Sequence, residues 1–387
     1  MKHNKNKKGN FPILRFPEFE GEWEERKLGE VCAFVRGPFG SALKKEFFVD
    51  EGYAVYEQSH AIYGDFSSFR YYITSEKFHE LIRFAVKSND LIMSCSGTMG
   101  KFSIIPSNTK EGVINQALLK LTVESGCHHE FIKSALELPS IQNKLLAQSA
   151  GGAIKNIVGM AELKEITLSI PKLEEQEKIA TFLSLIDKRI ETQKKIIEDL
   201  ELLKSAIRDK IFADIENTSV TKSKIKNALN YEQPTEYIVE STNYSENTSL
   251  TPVLTANKAF ILGYTDEDYN VYDKGDCIIF DDFTMDMKYV TFPYKVKSSA
   301  IKILTSKSDF NLLYVYEYLQ FLKLESGEHK RHYISEIQLS PIPLVKIESQ
   351  LKIGTVLHAL DKKTSVEHVI YDLLEKQKQA LLSELFI

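Results

Sequence analysis

The sequence predicts an α+β protein written twice: two mixed α/β globular domains and two long helices that pair with each other as an intramolecular coiled coil. Three observations predict it. First, EEQEKIATFLSLIDKRI (Glu174–Ile190) and ESQLKIGTVLHALDKKT (Glu348–Thr364) share eight of seventeen residues at an offset of 174. Second, each motif opens a run of apolar residues at alternating three- and four-residue spacing, a 3.5-residue period and therefore a coiled-coil seam. Third, each repeat follows roughly 120–150 residues rich in β-branched and aromatic residues and in Gly/Asn/Asp turns, a pattern of short strands with some helix.

The elements are justified in chain order. The opening MKHNKNKKGN is basic and lacks an apolar stretch behind it, so residues 1–20 are expected to be a tail and not a signal peptide. Residues 21–160 form the first globular domain. Residues 161–213 hold the first repeat, LKEITLSIPKL and then the helix, with the seam Leu183, Ile186, Ile190, Gln193, Ile197, Leu200, Lys204, Ile207 and Ile211. DIENTSVTKS (Asp214–Ser223) reads as a polar linker into the second domain, residues 214–340. Residues 341–387 hold the second repeat, with Leu357, Leu360, Thr364, Glu367, Tyr371, Leu374, Lys378, Leu381 and Leu385 on its seam. The polar residues align, Gln193 with Glu367 and Lys204 with Lys378; such residues trade stability for register and partner choice. At ~1.5 Å per residue each rod is about 52–58 Å long. A fainter repeat links the globular parts: AVKSNDLIMSCSG (Ala85–Gly97) resembles VYDKGDCIIFDDF (Val271–Phe283), and NQALLKL (Asn115–Leu121) resembles SSAIKIL (Ser298–Leu304).

Composition excludes several classes. A hydrophobic content of 43% with 27% charge is that of a globular chain, and no apolar run reaches the ~18 residues of a membrane span. Four scattered cysteines, Cys32, Cys95, Cys127 and Cys277, form no CxxC pair, so neither a disulfide framework nor a zinc site is expected and a reducing cytoplasm fits. There is no GxGxxG after a strand, no P-loop and no HExxH, hence no evident nucleotide, methyl-donor or metal site. Asp281–Asp282 is the one carboxylate pair worth weighing, but neighbours on a strand face opposite ways. Cys95 lacks a base and reads as a small buried residue. A duplicated shape without a reaction centre points to recognition of an extended ligand with regular spacing, and DNA is such a ligand. A net charge of −5 argues against a wholly DNA-covered surface and leaves room for local basic grooves.

At this point RFPEFEGEWEERKLGEV (Arg15–Val31), the two helix openings IPKLEEQEKIATFL and IPLVKIESQLKIGTVL, YEQPTEYIV (Tyr231–Val239) and IIFDDFT…FPYKVKSSAIKIL (Ile278–Leu304) carry a resemblance. In this order they resemble the specificity subunits of type I restriction–modification systems. The resemblance implies that each globular domain is a target-recognition domain reading one half of a split DNA sequence. It implies that the helices lie antiparallel, set the gap and dock DNA adenine methyltransferase subunits, and that ATP-dependent restriction subunits complete the complex. S-adenosylmethionine, ATP and Mg would then belong to those partners, with no catalytic residue and no metal in this chain. EEQ against ESQ, and three extra residues before the latter, make the two docking faces unequal.

DNA contacts are expected from flexible donors on loops. In the first domain these are Arg36, Lys44 and Lys45 (RGPFGSALKK), Gln58, Ser59 and His60 (YEQSHAIYGDF), Lys101 (SGTMGK), and Lys155 and Asn156 (GGAIKN). In the second they are Lys258 (TANKAFILGYT), Thr284 and Lys288 (DFTMDMKY), Lys295 and Lys297 (KVKSS), and Lys330 and Arg331 (HKRHY). The apolar seam residues named above are the expected helix interface. Two other readings stand beside this one: a metal-dependent nuclease using Asp281 and Asp282, and a coiled-coil scaffold with no DNA role.

Overall fold

The structure is a computed structural model that describes residues 9–148, 155–157, 159–218, 221–257, 259–324 and 332–387. The chain divides into two compact units, one of Met1–Thr192 with Asp372–Ile387 and the other of Gln193–Tyr371. Each therefore holds one globular part and a portion of both long helices.

In the first unit, Glu24–Lys27 pairs antiparallel with Thr167–Ile170, a ribbon that closes the globular part beside the start of the first long helix. A single helical turn, Leu28–Val31, leads into a four-stranded antiparallel sheet ordered Cys32–Arg36, Leu118–Val123, Leu91–Ser94 and Phe102–Ile104. The run LIMS is buried at every position, as expected of a central strand covered on both faces. A second sheet joins Phe48–Val49, Tyr72–Ile73, Tyr53–Tyr56 and Gly112–Ile114, the last two parallel. Helix His129–Glu137 buries Phe131, Ile132, Ala135 and Leu136 in the main core.

The second unit repeats the plan. Its ribbon is Lys222–Lys224 with Pro341–Pro343, and its turn is Ile225–Ala228. Its sheet runs Leu229–Glu232, Ile301–Ser306, Cys277–Asp281 and Met287–Val290, in the same order as the first. Its smaller sheet again ends in a parallel pair, Thr251–Leu254 with Lys295–Val296. The faint repeat therefore marks equivalent strands, with one correction. Leu91 faces Leu121 and Ile278 faces Leu304, so Leu91 corresponds to Ile278, one residue beyond where the two quoted stretches align.

The long helices are Leu173–Asn217, 45 residues, and Ile347–Leu385, 39 residues. Alternating apolar spacing without an internal proline favours their length. Every seam residue named above is buried or half-buried, whereas most positions between them are exposed. The pairing is antiparallel in both units. In the first, Asp187 accepts Lys378 Nζ at 2.5 Å, and Ile179 and Leu183 share a core with Leu382 and Leu385. In the second, Gln193 Nε2 donates to Glu367 Oε2 at 2.6 Å, and Lys204 Nζ lies 2.6 Å from Asp361. Both ion pairs join the same two repeat positions, Asp187 or Asp361 with Lys378 or Lys204. The polar seam residues thus fix the antiparallel register.

The repeat also explains its own glutamine. Gln176 Nε2 donates to the Pro171 and Gly126 carbonyls, and its Oε1 accepts the His128 N–H at 2.8 Å. Gln350 does the same with Val345, Asp309 and Asn311. Each clamps the start of a long helix to the entry of a domain helix, His129–Glu137 or Leu312–Phe321. Gly354 permits the second contact: a Cβ there would lie 2.7 Å from Leu313 Cβ. The final aromatics repeat as well. Phe386 stacks on Phe131 at 5.0 Å, and Phe212 meets Tyr314 at 5.5 Å and is fully buried, worth about 2–3 kcal/mol. Replacing Gln350 with alanine is expected to destabilise the second unit by about 1–3 kcal/mol, since it leaves a buried N–H and two carbonyls unpaired. Faster amide exchange confined to Leu312–Phe321 would report it.

Two expectations are corrected. The first helix runs through Asn217, four residues into the stretch expected to be linker. Residues 9–20 are not a free tail. Arg15 forms a bidentate pair with Glu175 at 2.8 and 2.7 Å, Trp23 Nε1 donates to the same carboxylate, and the Leu14 N–H donates to Glu384. Glu175 stands where the second repeat has Ser349, because only the first unit has this opening segment to hold.

Candidate nucleic-acid interface

In the first unit, three candidate loops meet at one end of the sheets. Arg36 ends its strand opposite Leu119, and the Gly37 N–H donates to Leu118 O. A Cβ at Gly37 would collide with the Asn115 carbonyl, so glycine lets this loop lie against residues 115–116. Gln58, at the start of helix Gln58–Tyr63, accepts the Ser96 hydroxyl at 3.0 Å and so joins the second loop to the turn at 96–101. Ser94 shapes that turn, donating to Thr98 O and accepting the Lys101 N–H. Beside the second loop lies a cavity of about 490 Å³ lined by residues 57–60 with Ser68, Arg70, Asn115 and Ala117. Arg36, Lys44, Lys45, Ser59, Arg70 and Lys101 are exposed at the surface.

Arg70 and Asn115 were not singled out from the sequence. Asn115 had a signal: it follows the strand Gly112–Ile114 as Lys297 follows Lys295–Val296, and both donate their N–H to the parallel neighbour, Tyr56 O or Leu254 O. Arg70 had none, because its place in the cavity follows from tertiary folding alone.

His60 is corrected. It lines that cavity but is 4% exposed, its ring sits among Tyr56, Phe66 and Phe69, and both ring nitrogens are engaged inside the fold, Nδ1 at 2.9 Å from the Glu57 nitrogen and Nε2 at 3.3 Å from the Ser68 carbonyl. Cys95 is buried, and burial pushes its thiol up to about 11, away from nucleophile chemistry.

In the second unit, the hairpin after Cys277–Asp281 carries Thr284, exposed, and Lys288, half-buried. Met285 there takes φ +61°, and Asp281 steadies the turn by accepting the Phe283 and Thr284 N–H groups. Lys288 lines a cavity of about 260 Å³ with Asn257, from the candidate stretch TANKAFILGYT, and with Gln320 and Lys323, which the sequence reading passed over. Lys297 is exposed. Lys295 is corrected: it is fully buried, 2.8 Å from Glu267, and donates to Tyr269 O at 3.0 Å. Its cation is consumed inside the fold and does not reach a phosphate. Asp282 accepts the His332 and Tyr333 N–H groups at 3.0 and 2.8 Å and faces buried Lys302 at 3.6 Å. The pair Asp281–Asp282 therefore serves the backbone, and nothing in the geometry favours a nuclease. Among the described residues no group of His, Cys, Asp or Glu is arranged to hold a metal ion. Lys258, Lys330 and Arg331 lie outside the described residues, and Lys155 and Asn156 lie on the short strand Lys155–Ile157.

A domain with one strand order, written twice and joined by paired long helices, defines a tandem-repeat α+β protein with an intramolecular coiled coil. Comparison with known proteins shows what the chain is similar to. The type I restriction modification DNA specificity domain matches residues 20–202. The chain is 44% identical over 146 residues to the type I restriction enzyme EcoR124I/EcoR124II specificity subunit of Escherichia coli, a match covering 35% of this chain and 36% of that relative, about a third of its length. It is 22% identical, over 97% of its length and 96% of the other's, to the putative type I restriction enzyme MjaX specificity subunit of Methanocaldococcus jannaschii. In structure it is similar to the type I restriction–modification system S subunit from M. genitalium, with a TM-score of 0.66, 18% identity and coverage of 97% and 99% of the two chains, which shows a shared fold. Residues 20–202 thus match the type I restriction modification DNA specificity domain, and nearly the whole chain shares the fold of the M. genitalium S subunit. Among the described residues no helix is long and apolar enough to cross a membrane.

Proposed function

We propose that this chain is the DNA-recognition and assembly subunit of a type I restriction–modification complex. Its two globular parts each read one half of a split target. The paired helices set the gap and carry the methyltransferase subunits, and the restriction subunits join that core. The chain itself performs no chemistry; S-adenosylmethionine, ATP and Mg act on the partners. The observation that carries this reading is the same strand order in both units, each with donor-bearing loops at the end of its sheets and each clamped by one glutamine to a long helix. Two similar frames with different loops suit two different half-sites.

The test replaces residues 214–340 with the matching segment of a relative and maps methylated adenines in a host carrying the methyltransferase subunit. One half of the methylated motif is expected to change while the other half and the gap stay as they were. A change in both halves, or in neither, overturns the assignment of one half-site to each domain.

A further inference from the structure

We propose that the cavity beside the first unit's second loop is built to read a guanine, with Arg70 and Asn115 as its specificity-determining residues. This inference rests on the reading above. It comes from the direction in which the pinned side chains point their donors.

Asn115 Oδ1 accepts the Ala117 N–H at 3.0 Å. A backbone N–H can only donate, so this bond assigns the amide oxygen inward and leaves the amino group for the cavity. Gln58 is held beside it by the Ser96 hydroxyl, 3.0 Å from its side-chain amide, a contact that either end of the amide can make. Arg70 lies over the Tyr71 ring, 4.8 Å from its centroid, which orients a guanidinium that has only donors. The one carboxylate among these residues, Glu57, is half-buried at the N-cap of helix Gln58–Tyr63, where its backbone carbonyl accepts the His60 N–H at 3.1 Å. Asn115 and Arg70 thus offer the cavity N–H groups held by neighbours and not left to find their own positions.

In the major groove the base edge with two acceptors and no donor is guanine, through N7 and O6. Adenine and cytosine present an amino donor that would oppose the amino group of Asn115. An arginine ready for a bidentate contact makes the same choice. The half-site read by residues 21–160 is accordingly expected to contain a G·C pair whose guanine faces this cavity.

Asn115→Asp tests this with little change in shape. It keeps the acceptor for the Ala117 N–H and replaces the outward donor with an acceptor. Arg70→Lys keeps the positive charge and removes the planar fork. Both variants, in the full chain with its methyltransferase partner, are assayed by the methylated-adenine motif they impose on a host genome. We expect each to lower methylation at wild-type sites by roughly ten- to a hundredfold. The relaxed position should be a single G·C pair in one half-site, and Asn115→Asp should gain sites bearing an amino-donor base there. Urea-induced unfolding of the purified variants should match wild type. An unaltered motif with either variant overturns the inference, as does a half-site without a G·C pair. Arg70→Lys methylation that falls uniformly across all sequences marks a phosphate contact and overturns it too. Where the motif persists in a host lacking this chain, the recognition reading itself fails; where the motif depends on the chain but ignores both variants, only the guanine assignment fails.

Discussion

Replacing Lys204 with methionine is expected to cost the second unit about 3–5 kcal/mol, the largest single-residue effect foreseen in this chain. Lys204 Nζ lies 2.8 Å from Glu317 and 2.6 Å from Asp361. Glu317 comes from the domain helix and has no exposed surface; Asp361 comes from the second long helix and is 38% exposed. The contact to Glu317 is one of charge and not an aligned hydrogen bond, and neither of its carboxylate oxygens has a hydrogen-bond partner in the fold. Burial raises the Glu317 carboxyl above its ordinary range, and Lys204 is the main group opposing that rise. Without the lysine the carboxyl rises further. A carboxyl whose pKa is higher folded than unfolded favours the fold fully below its unfolded value, about pH 4, and that contribution is lost as pH rises through the folded value. The deficit of Lys204→Met should thus be large at neutral pH and shrink toward about pH 4. Amide exchange over Leu312–Phe321 at two pH values measures it. Adding Glu317→Leu should return much of the loss, because the uncompensated buried charge goes with it. A deficit independent of pH would rule out the electrostatic origin.

Inserting four residues after Asp199 is expected to lengthen the gap in the recognised DNA or to abolish assembly with the methyltransferase. The insertion adds about 6 Å of helix and turns the C-terminal part of that helix by about 40°. It falls between Asp187, paired with Lys378, and Lys204, paired with Asp361. Each pair is separated from the other by seventeen residues on both helices, so the longer helix keeps at most one of them in step. A register set by polar seam residues has few alternatives, since any slip buries Gln193 and Glu367 without each other. Methylome mapping in a host supplied with the altered chain reads the gap directly. An unchanged gap with full methylation would remove the helices from any measuring role.

The parts legible in the sequence were those whose signal is local. A 3.5-residue period declares a seam within any two turns of helix, and an offset of 174 displays the repeat without knowledge of contacts. The strands LIMS and CIIFD were legible because a central strand is an apolar run bounded by turns. The slip of one residue between them was invisible, since two apolar runs align almost as well either way and only the ladder partners Leu121 and Leu304 choose. Side-chain fate was harder. Lys295 and His60 looked like surface donors because residue type reports charge and not burial. Glu267 cancels the first from 28 positions away in the chain, and a ring cluster encloses the second. Asn115 and Arg70 were missed for the converse reason, as their place depends on a parallel pairing between Tyr53–Tyr56 and Gly112–Ile114.

What this sequence determined alone is its duplication, the two long helices and the polar positions on their seam, because periodicity and self-similarity need no partner to be read. What tertiary structure decided is which donors face outward. The burial of a lysine depends on whether a distant carboxylate arrives beside it, as Glu267 does beside Lys295. Such arrivals, like the clamps at Gln176 and Gln350, join residues tens of positions apart.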